Sequence, residues 1–261
     1  MLARIFALFM MIDAATAAAM ELPAGFAGIE RGRVAAVVDG GTFTLADGRT
    51  IRLAGLDVPR GGTPGDRQSR RQSVAVAAQD VLSSLLGTGE VAVAPVGPGT
   101  DRYGRVLAQV ADAQGRWVQA ELVARGYGRV MLFADSGEGL RPLLALEAVA
   151  RKARRGLWAL PEFRVIPADE AGRHLDSFQL VEGRVRSVDR KAGKTFLNFG
   201  EDWRNDFTVM IAGKTRRPLI AAGLDPAEAQ GKMLRVRGWI KSRNGPLIEI
   251  VHSDQIEVIA E

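Results

Sequence analysis

Short β-rich apolar runs broken by polar turn residues fill residues 31–56. Arg33 to Val38, Thr42 to Ala46 and Arg49 to Leu56 read as three short β-strands, separated by turns at Asp39-Gly40-Gly41 and Asp47-Gly48. Asp-Gly between β-rich runs is a strong hairpin signal, so these residues predict a three-stranded meander. The stretch Gly61-Gly62-Thr63-Pro64-Gly65-Asp66 reads as a loop. The period then becomes helical over roughly Gln68 to Leu86, with Val74, Ala77, Ala78, Val81 and Leu85 at helical spacing. Strands follow at Glu90 to Val96 and Gly104 to Val110, a helix at Val118 to Arg125, a strand at Gly128 to Phe133 and a long helix from Leu140 to Leu157, ahead of Pro161 and Pro167.

Residues 165–174 have no periodicity and read as a linker. Beyond them the pattern is almost purely β: Phe178 to Val188, Thr195 to Phe199, Phe207 to Ala212, Met233 to Lys241 and Leu247 to Val258, with one helical stretch near Lys214 to Gln230. Five strands with a helix between the third and fourth is the order of an OB-fold barrel. At the other end, Arg4, the apolar run Ile5 to Ile12 and the small residues Ala14 to Ala19 form a secretory signal pattern over residues 1–19, with cleavage before Ala18 or Met20. A membrane span needs about 20 apolar residues, and Arg4 and Asp13 interrupt this one, so no stable span is expected after cleavage. The expected location is the periplasm or the medium; the alternative is a hydrophobic start that stays cytoplasmic.

Composition narrows the chemistry. The chain has 261 residues, 47% hydrophobic and 25% charged, an ordinary globular balance at a length that suits two cores. It has no Cys and two His, His174 and His252, which excludes zinc fingers, disulfide scaffolds, thiol nucleophiles and iron–sulfur clusters. There is no Gly-x-Ser-x-Gly elbow and no phosphate loop ending in Gly-Lys-Ser/Thr. A net charge of +5 is compatible with a polyanionic partner and does not identify one. The basic run Arg151-Lys152-Ala153-Arg154-Arg155 suits the C-terminal end of a helix.

One series of blocks is specific. Asp39-Gly40-Gly41-Thr42-Phe43-Thr44-Leu45, Ile51-Arg52-Leu53-Ala54-Gly55-Leu56-Asp57-Val58-Pro59, Asp101-Arg102-Tyr103-Gly104-Arg105, Leu122-Val123-Ala124-Arg125-Gly126 and Arg155-Gly156-Leu157-Trp158 follow one another as in the staphylococcal-nuclease-like (thermonuclease) family, which this part of the chain resembles. The resemblance implies a five-stranded OB-type barrel with three helices, usually a calcium-dependent phosphodiesterase acting on DNA or RNA. The C-terminal part resembles a second OB-fold of the nucleic-acid-binding type, through Gly183-Arg184-Val185, Arg235-Val236-Arg237-Gly238-Trp239 and Asn244-Gly245-Pro246-Leu247-Ile248-Glu249-Ile250. The expected fold is therefore mainly β with α, two OB-type barrels in tandem. Its expected parts are a signal over 1–19, a nuclease-like barrel over 20–164, a linker over 165–174 and a second OB-fold over 175–261.

Phosphodiester hydrolysis needs a metal, a carboxylate that handles the attacking water, and cations on the phosphorus. In the resembled family two aspartates, a glutamate just after the proline and two arginines serve these ends. Carried over by position, the arginines are Arg52 and Arg105, one metal aspartate is Asp57, and Asp39 matches an acidic residue close to the ion. The other metal aspartate is replaced by Gly41 and the glutamate by Arg60, a cation of the wrong sign for a metal site. Leu132 and Ala134 stand where two tyrosines flank a bound nucleotide, while Arg102 and Tyr103 match positions that contact a terminal phosphate. Asp66 is a nearby carboxylate that could stand in for a missing one. The plainer reading of Arg52 and Arg105 is an ion pair with Asp57 or Asp39, and that of Asp101 is a turn cap.

In the second domain Arg184 and Arg186 alternate with apolar residues, as do Arg235, Arg237, Trp239 and Lys241, with Arg243 beyond them. A cationic strand face carrying an aromatic suits single-stranded nucleic acid, and Trp203 would add a stacking platform. The competing reading is a solvated outer face with Trp239 in the core. The sequence thus leads to an exported protein that binds DNA or RNA, single-stranded, and lacks the family's hydrolysis. Two alternatives stand beside it: an active endonuclease with a relocated carboxylate, for which calcium would be the cofactor, and an envelope scaffold that docks a protein partner.

Overall fold

The computed structural model describes residues 20–60, 70–133, 138–202 and 204–259. The signal at 1–19, the loop carrying Asp66, Ala134 and Trp203 lie outside them. Among the described residues no helix is long and apolar enough to cross a membrane.

The first unit runs β1 (Glu30–Asp39), β2 (Thr42–Leu45), β3 (Thr50–Leu53), β4 (Leu56–Asp57), α1 (Arg70–Leu86), β5 (Glu90–Thr100), β6 (Val106–Ala111), α2 (Val118–Ala124), β7 (Arg129–Val130) and α3 (Arg141–Lys152). Strands close into a barrel in the order β1-β2-β3-β6-β5, with β3 and β6 parallel and the other pairs antiparallel. Register shifts between Val34 and Ala36 and between Val37 and Asp39 bend β1. An extra residue sharpens the local twist, which lets a short sheet curl onto itself. Phe43, Ile51, Leu53, Val91, Val93 and Val110 fill the interior, and Leu82 of α1 and Leu122 of α2 close it.

Two predicted elements are shorter than their pattern. Residues 128–133 keep only β7, which pairs with β4. The long helix stops at Lys152, because Arg154 takes φ 53° and Gly156 φ 53°, left-handed conformations that end a helix. The Gly156 turn lies directly against the turn after α2: a Cβ on Gly126 would come 2.3 Å from the Arg155 carbonyl oxygen, and one on Gly156 would come 2.3 Å from that of Gly126. Gly126 also has φ +78°. Gly126→Ala is therefore expected to cost about 2–4 kcal/mol, overpacking added to left-handed strain, read as a lowered urea midpoint.

The second unit holds β8 (Ile166–Pro167), β9 (Ser177–Arg184), β10 (Ser187–Lys191), β11 (Lys194–Asn198), β12 (Thr208–Ala212), α4 (Gly213–Ala221), β13 (Met233–Ser242), β14 (Pro246–Ile250) and β15 (Ile256–Val258). The sheet order is β10-β11-β12-β14-β13-β9-β8, with β15 on β13 and β12 parallel to β14. β9 and β10 are two arms of one bent segment: the Val185 N–H donates to Lys232 on one side and the Arg186 N–H to Asn198 on the other. The chain itself thus turns the corner of the curled sheet. The expected linker is part of this unit, since β8 adds to β9 in parallel and Ile166 and Ala171 are buried. The few apolar residues of this segment carry too weak a period to announce a strand.

The two units share a third apolar cluster, in which Phe178 and Leu180 of β9 pack against Leu157, Trp158, Leu160 and Phe163.

Candidate functional site

β1 ends at Asp39, and the Gly40-Gly41 turn leads into β2, where Thr42 lies opposite Arg52 of β3. The Gly41 N–H donates to Asp39 Oδ1 at 2.8 Å, which tightens the turn. A Cβ on Gly41 would come 2.6 Å from Arg52 Nη1. The guanidinium thus fills the space that a side chain at 41 would need. From there Arg52 donates to Thr42 Oγ1 at 3.4 Å and to the Leu56 carbonyl at 3.3 Å, and reaches Asp39 Oδ1 at 3.5 Å. Burial holds the Arg52 guanidinium below its ordinary value; Asp39 opposes this, and the positive charges of Arg60 and Arg105 add to it.

Asp57 has a partner that the sequence pattern did not reveal. Arg129 of β7 donates to Asp57 Oδ2 through Nε at 3.0 Å and Nη2 at 2.6 Å. The Arg129 guanidinium lies over both the Phe163 and Phe178 rings, at 5.0 Å from each centroid. A residue of the second unit therefore helps to hold the cation that neutralises Asp57. Of the ion pairs expected in the plainer reading, only Arg52 with Asp39 forms. Arg105 pairs instead with Asp101, donating to Oδ2 through Nε at 2.9 Å and Nη2 at 2.7 Å.

Asp101 also caps its turn, accepting the Tyr103 and Arg105 N–H groups on Oδ1. Partial burial works against the charge, but these hydrogen bonds hold the Asp101 carboxyl down to about 2. A depressed carboxyl contributes stability that is fully present above its unfolded value near pH 4 and is lost as pH falls through the folded value. The loop 101–105 is thus expected to loosen between about pH 4 and pH 2 in an acid titration followed by Tyr103 fluorescence. Asp101→Asn is expected to remove that step.

Arg102 and Arg105 sit over the Tyr103 ring at 4.8 and 5.0 Å, and Tyr103 is largely exposed. Beside them lies a cleft of about 590 Å³ with Arg52, Arg102 and Arg105 on its wall and Leu107, Met131 and Phe133 among its apolar lining. Phe133 escapes the sequence pattern: Leu132 turns into the core, and the residue next to it reaches the cleft. Period 2 points to positions 132 and 134 instead, but the strand ends at Val130, short of both.

Ca²⁺, the metal implied by the resemblance, takes about six to eight oxygen ligands. Among the described residues the oxygen donors here are already engaged and do not suit it. Asp57 is engaged by Arg129, Asp39 by Gly41 and Arg52, and position 41 offers no side chain. Among the described residues no group of three or more His, Cys, Asp or Glu is placed to hold a metal ion.

The expected binding face of the second unit is arranged otherwise than its alternation implied. Arg235, Arg237 and Trp239 do share one face of β13, opposite Leu234, Val236 and Ile240 of the core. The first unit covers the middle of that face. Arg237 is 1% exposed, donating to Glu147 of α3 at 2.5 Å, to the Val130 carbonyl at 3.2 Å and to Glu257 at 2.6 Å. Arg235 pairs with Glu182 and Glu257, Lys241 with Glu249, and Arg186 with Glu201. Arg184 donates to the Gly231 carbonyl at 2.7 Å. Trp239 lies outside the core with half its surface exposed, and Arg243 is exposed on the β13–β14 hairpin.

A family model described as Staphylococcal nuclease homologue matches residues 50–160. Endonuclease YhcR of Bacillus subtilis (strain 168) is 30% identical over 191 residues, which cover 70% of this chain and 15% of that protein. An uncharacterized endonuclease of Escherichia coli is 33% identical over 131 residues, 49% of this chain and 76% of that protein. The chain thus spans a small part of the first relative and most of the second.

Proposed function

Because the chain belongs to the staphylococcal nuclease family, we propose that it binds DNA or RNA, as single strands, through the cationic cleft of the first barrel and does not hydrolyse it. One observation carries this reading: the one metal aspartate that is kept, Asp57, is taken up by Arg129, and Asp39, the acidic residue close to it, by Arg52. Arg60 adds a further positive charge where the family's glutamate would act. What is left is a wall of guanidinium groups beside an apolar pocket and an exposed tyrosine, which suits a phosphate backbone with a base or sugar against it. Arg52 and Arg105 hold phosphate oxygens, and Arg102 with Tyr103 holds the next phosphate along the strand. The signal pattern at 1–19 is the ground for placing the protein in the periplasm or the medium.

The endonuclease names of the relatives favour a second reading, cleavage with a carboxylate brought in from elsewhere. Affinity for a labelled single strand, measured from about 50 to about 300 mM salt, tests the binding. The reading expects affinity that falls steeply with salt. Arg102→Ala and Arg105→Ala each take away one cation from the phosphates, and each is expected to make the slope smaller by about 0.7. Salt-independent retention, or none, would favour the envelope scaffold.

A further inference from the structure

Consecutive residues of the first unit, Arg129, Val130 and Met131, are held at the junction with the second. Arg129 stands opposite Asp57 in the short β4–β7 ladder, which puts both side chains on one face. Val130 is fixed at both of its backbone polar groups. Its carbonyl accepts from Arg237 of β13 at 3.2 Å, and its N–H donates to Glu147, the carboxylate that Arg237 also meets. Met131 packs against the apolar cluster of Leu157, Trp158, Phe163 and Phe178, and it also lines the cleft of the first barrel.

The Arg129 guanidinium is built into this junction. The residue is 6% exposed. Nε and Nη2 are on Asp57, whereas Nη1 is buried and has no hydrogen-bond partner among the described residues. The remaining grip on the cation comes from the rings of Phe163 and Phe178, each 5.0 Å from it at the centroid. A cation gains most from an aromatic face when both are out of water, and both rings are buried here. Phe178 belongs to β9, where Leu180, on the same face, lies opposite Arg237 of β13. One side of the second sheet thus supplies the ring on Arg129 and the donor on Val130.

We propose that the second unit is a latch on the first barrel's carboxylate. Phe178 is a positioning residue that keeps Arg129 on Asp57 as a resident cation, Arg237 fixes the strand that carries it, and a hard metal ion is excluded while the two units are docked. The inference goes beyond the binding reading, because it concerns the free protein and takes from that reading only the pairing of Asp57. Electrostatics give the sign. A bidentate guanidinium neutralises the charge that a metal ion would meet and adds like-charge repulsion at short range. With Arg129 gone, Asp57 and Asp39, whose charges both act on the Arg52 guanidinium, would offer carboxylate oxygens of the kind that hard cations take.

The test is a calorimetric titration of the full chain with Tb³⁺ as a hard-cation probe, and it needs no nucleic acid. Arg129→Met is expected to add a site about a hundredfold tighter than any the unaltered chain offers there, through loss of the like charge. Phe178→Leu, which keeps apolar bulk but removes the ring, is expected to strengthen Tb³⁺ binding about fivefold, the contribution of one ring face. Phe178→Tyr, which keeps the ring, is expected to behave as the unaltered chain. Asp57→Asn added to Arg129→Met is expected to remove the new site, which sets it apart from carboxylates elsewhere on the surface. A urea transition on each variant shows that it folds. If Phe178→Leu lowers the urea midpoint and leaves Tb³⁺ affinity unchanged, the residue is merely structural and the latch is overturned; unchanged affinity in Arg129→Met would overturn it as well. A Tb³⁺ gain in these variants, together with an unaltered chain that retains no oligonucleotide, would uphold the latch and overturn the binding reading.

Discussion

Replacing Arg237 by alanine is expected to lower the unfolding free energy by about 3–5 kcal/mol, a large fraction of what holds an ordinary domain together. Glu147 is completely buried on α3, and its Oε2 accepts from Arg237 at 2.5 Å and from the Val130 N–H at 3.3 Å. Burial by itself would depress the Arg237 guanidinium, but Glu147 and Glu257 outweigh it and raise it above its ordinary value. Take the arginine away and a carboxylate stays in the junction between the units, with Arg151 Nη1 left at 3.7 Å as its nearest cation. A single urea transition that shifts as a whole would show that the two barrels unfold together. Replacing Glu147 and Arg237 together by leucine and methionine is expected to cost much less, because removing both charges leaves neither unpaired.

The second large effect concerns chemistry. Gly41→Asp with Arg60→Glu restores an oxygen donor and a base at once, and is expected to create chelator-sensitive cleavage about 10²–10⁴ above the unaltered chain, the usual worth of a positioned base. The new side chain at 41 must displace the end of Arg52, whose Nη1 would lie 2.6 Å from its Cβ; a flexible guanidinium can move, so the barrel is expected to fold. Adding Arg129→Met frees Asp57 and is expected to raise the rate again. Equal cleavage by the unaltered chain and the double variant would mean that positions 41 and 60 are not what limits hydrolysis.

Both barrels were legible in the sequence because turn dipeptides punctuate β-rich runs, Asp39-Gly40 and Asp47-Gly48 in the first and Asn244-Gly245 in the second, and the motif blocks mark the close contacts that fix the first one. Gly126 and Gly156 are in those blocks because two backbones meet there with no room for a side chain. What stayed hidden depends on contacts distant in sequence. Arg129 lies 72 positions from Asp57, in a run that reads as a plain strand. Alternation placed Arg237 correctly on the outer face of β13 but could not show that α3 covers it.

Binding without hydrolysis has two halves, and one experiment addresses both. Purified protein is titrated into labelled single-stranded DNA and RNA, with calcium and with chelator, and retardation and cleavage are followed in the same tubes. Retardation is expected in both conditions, weakened by Arg105→Ala, with the strand intact throughout. Calcium-dependent cleavage abolished by Arg105→Ala would contradict this and show that a carboxylate outside Asp39 and Asp57 completes the site.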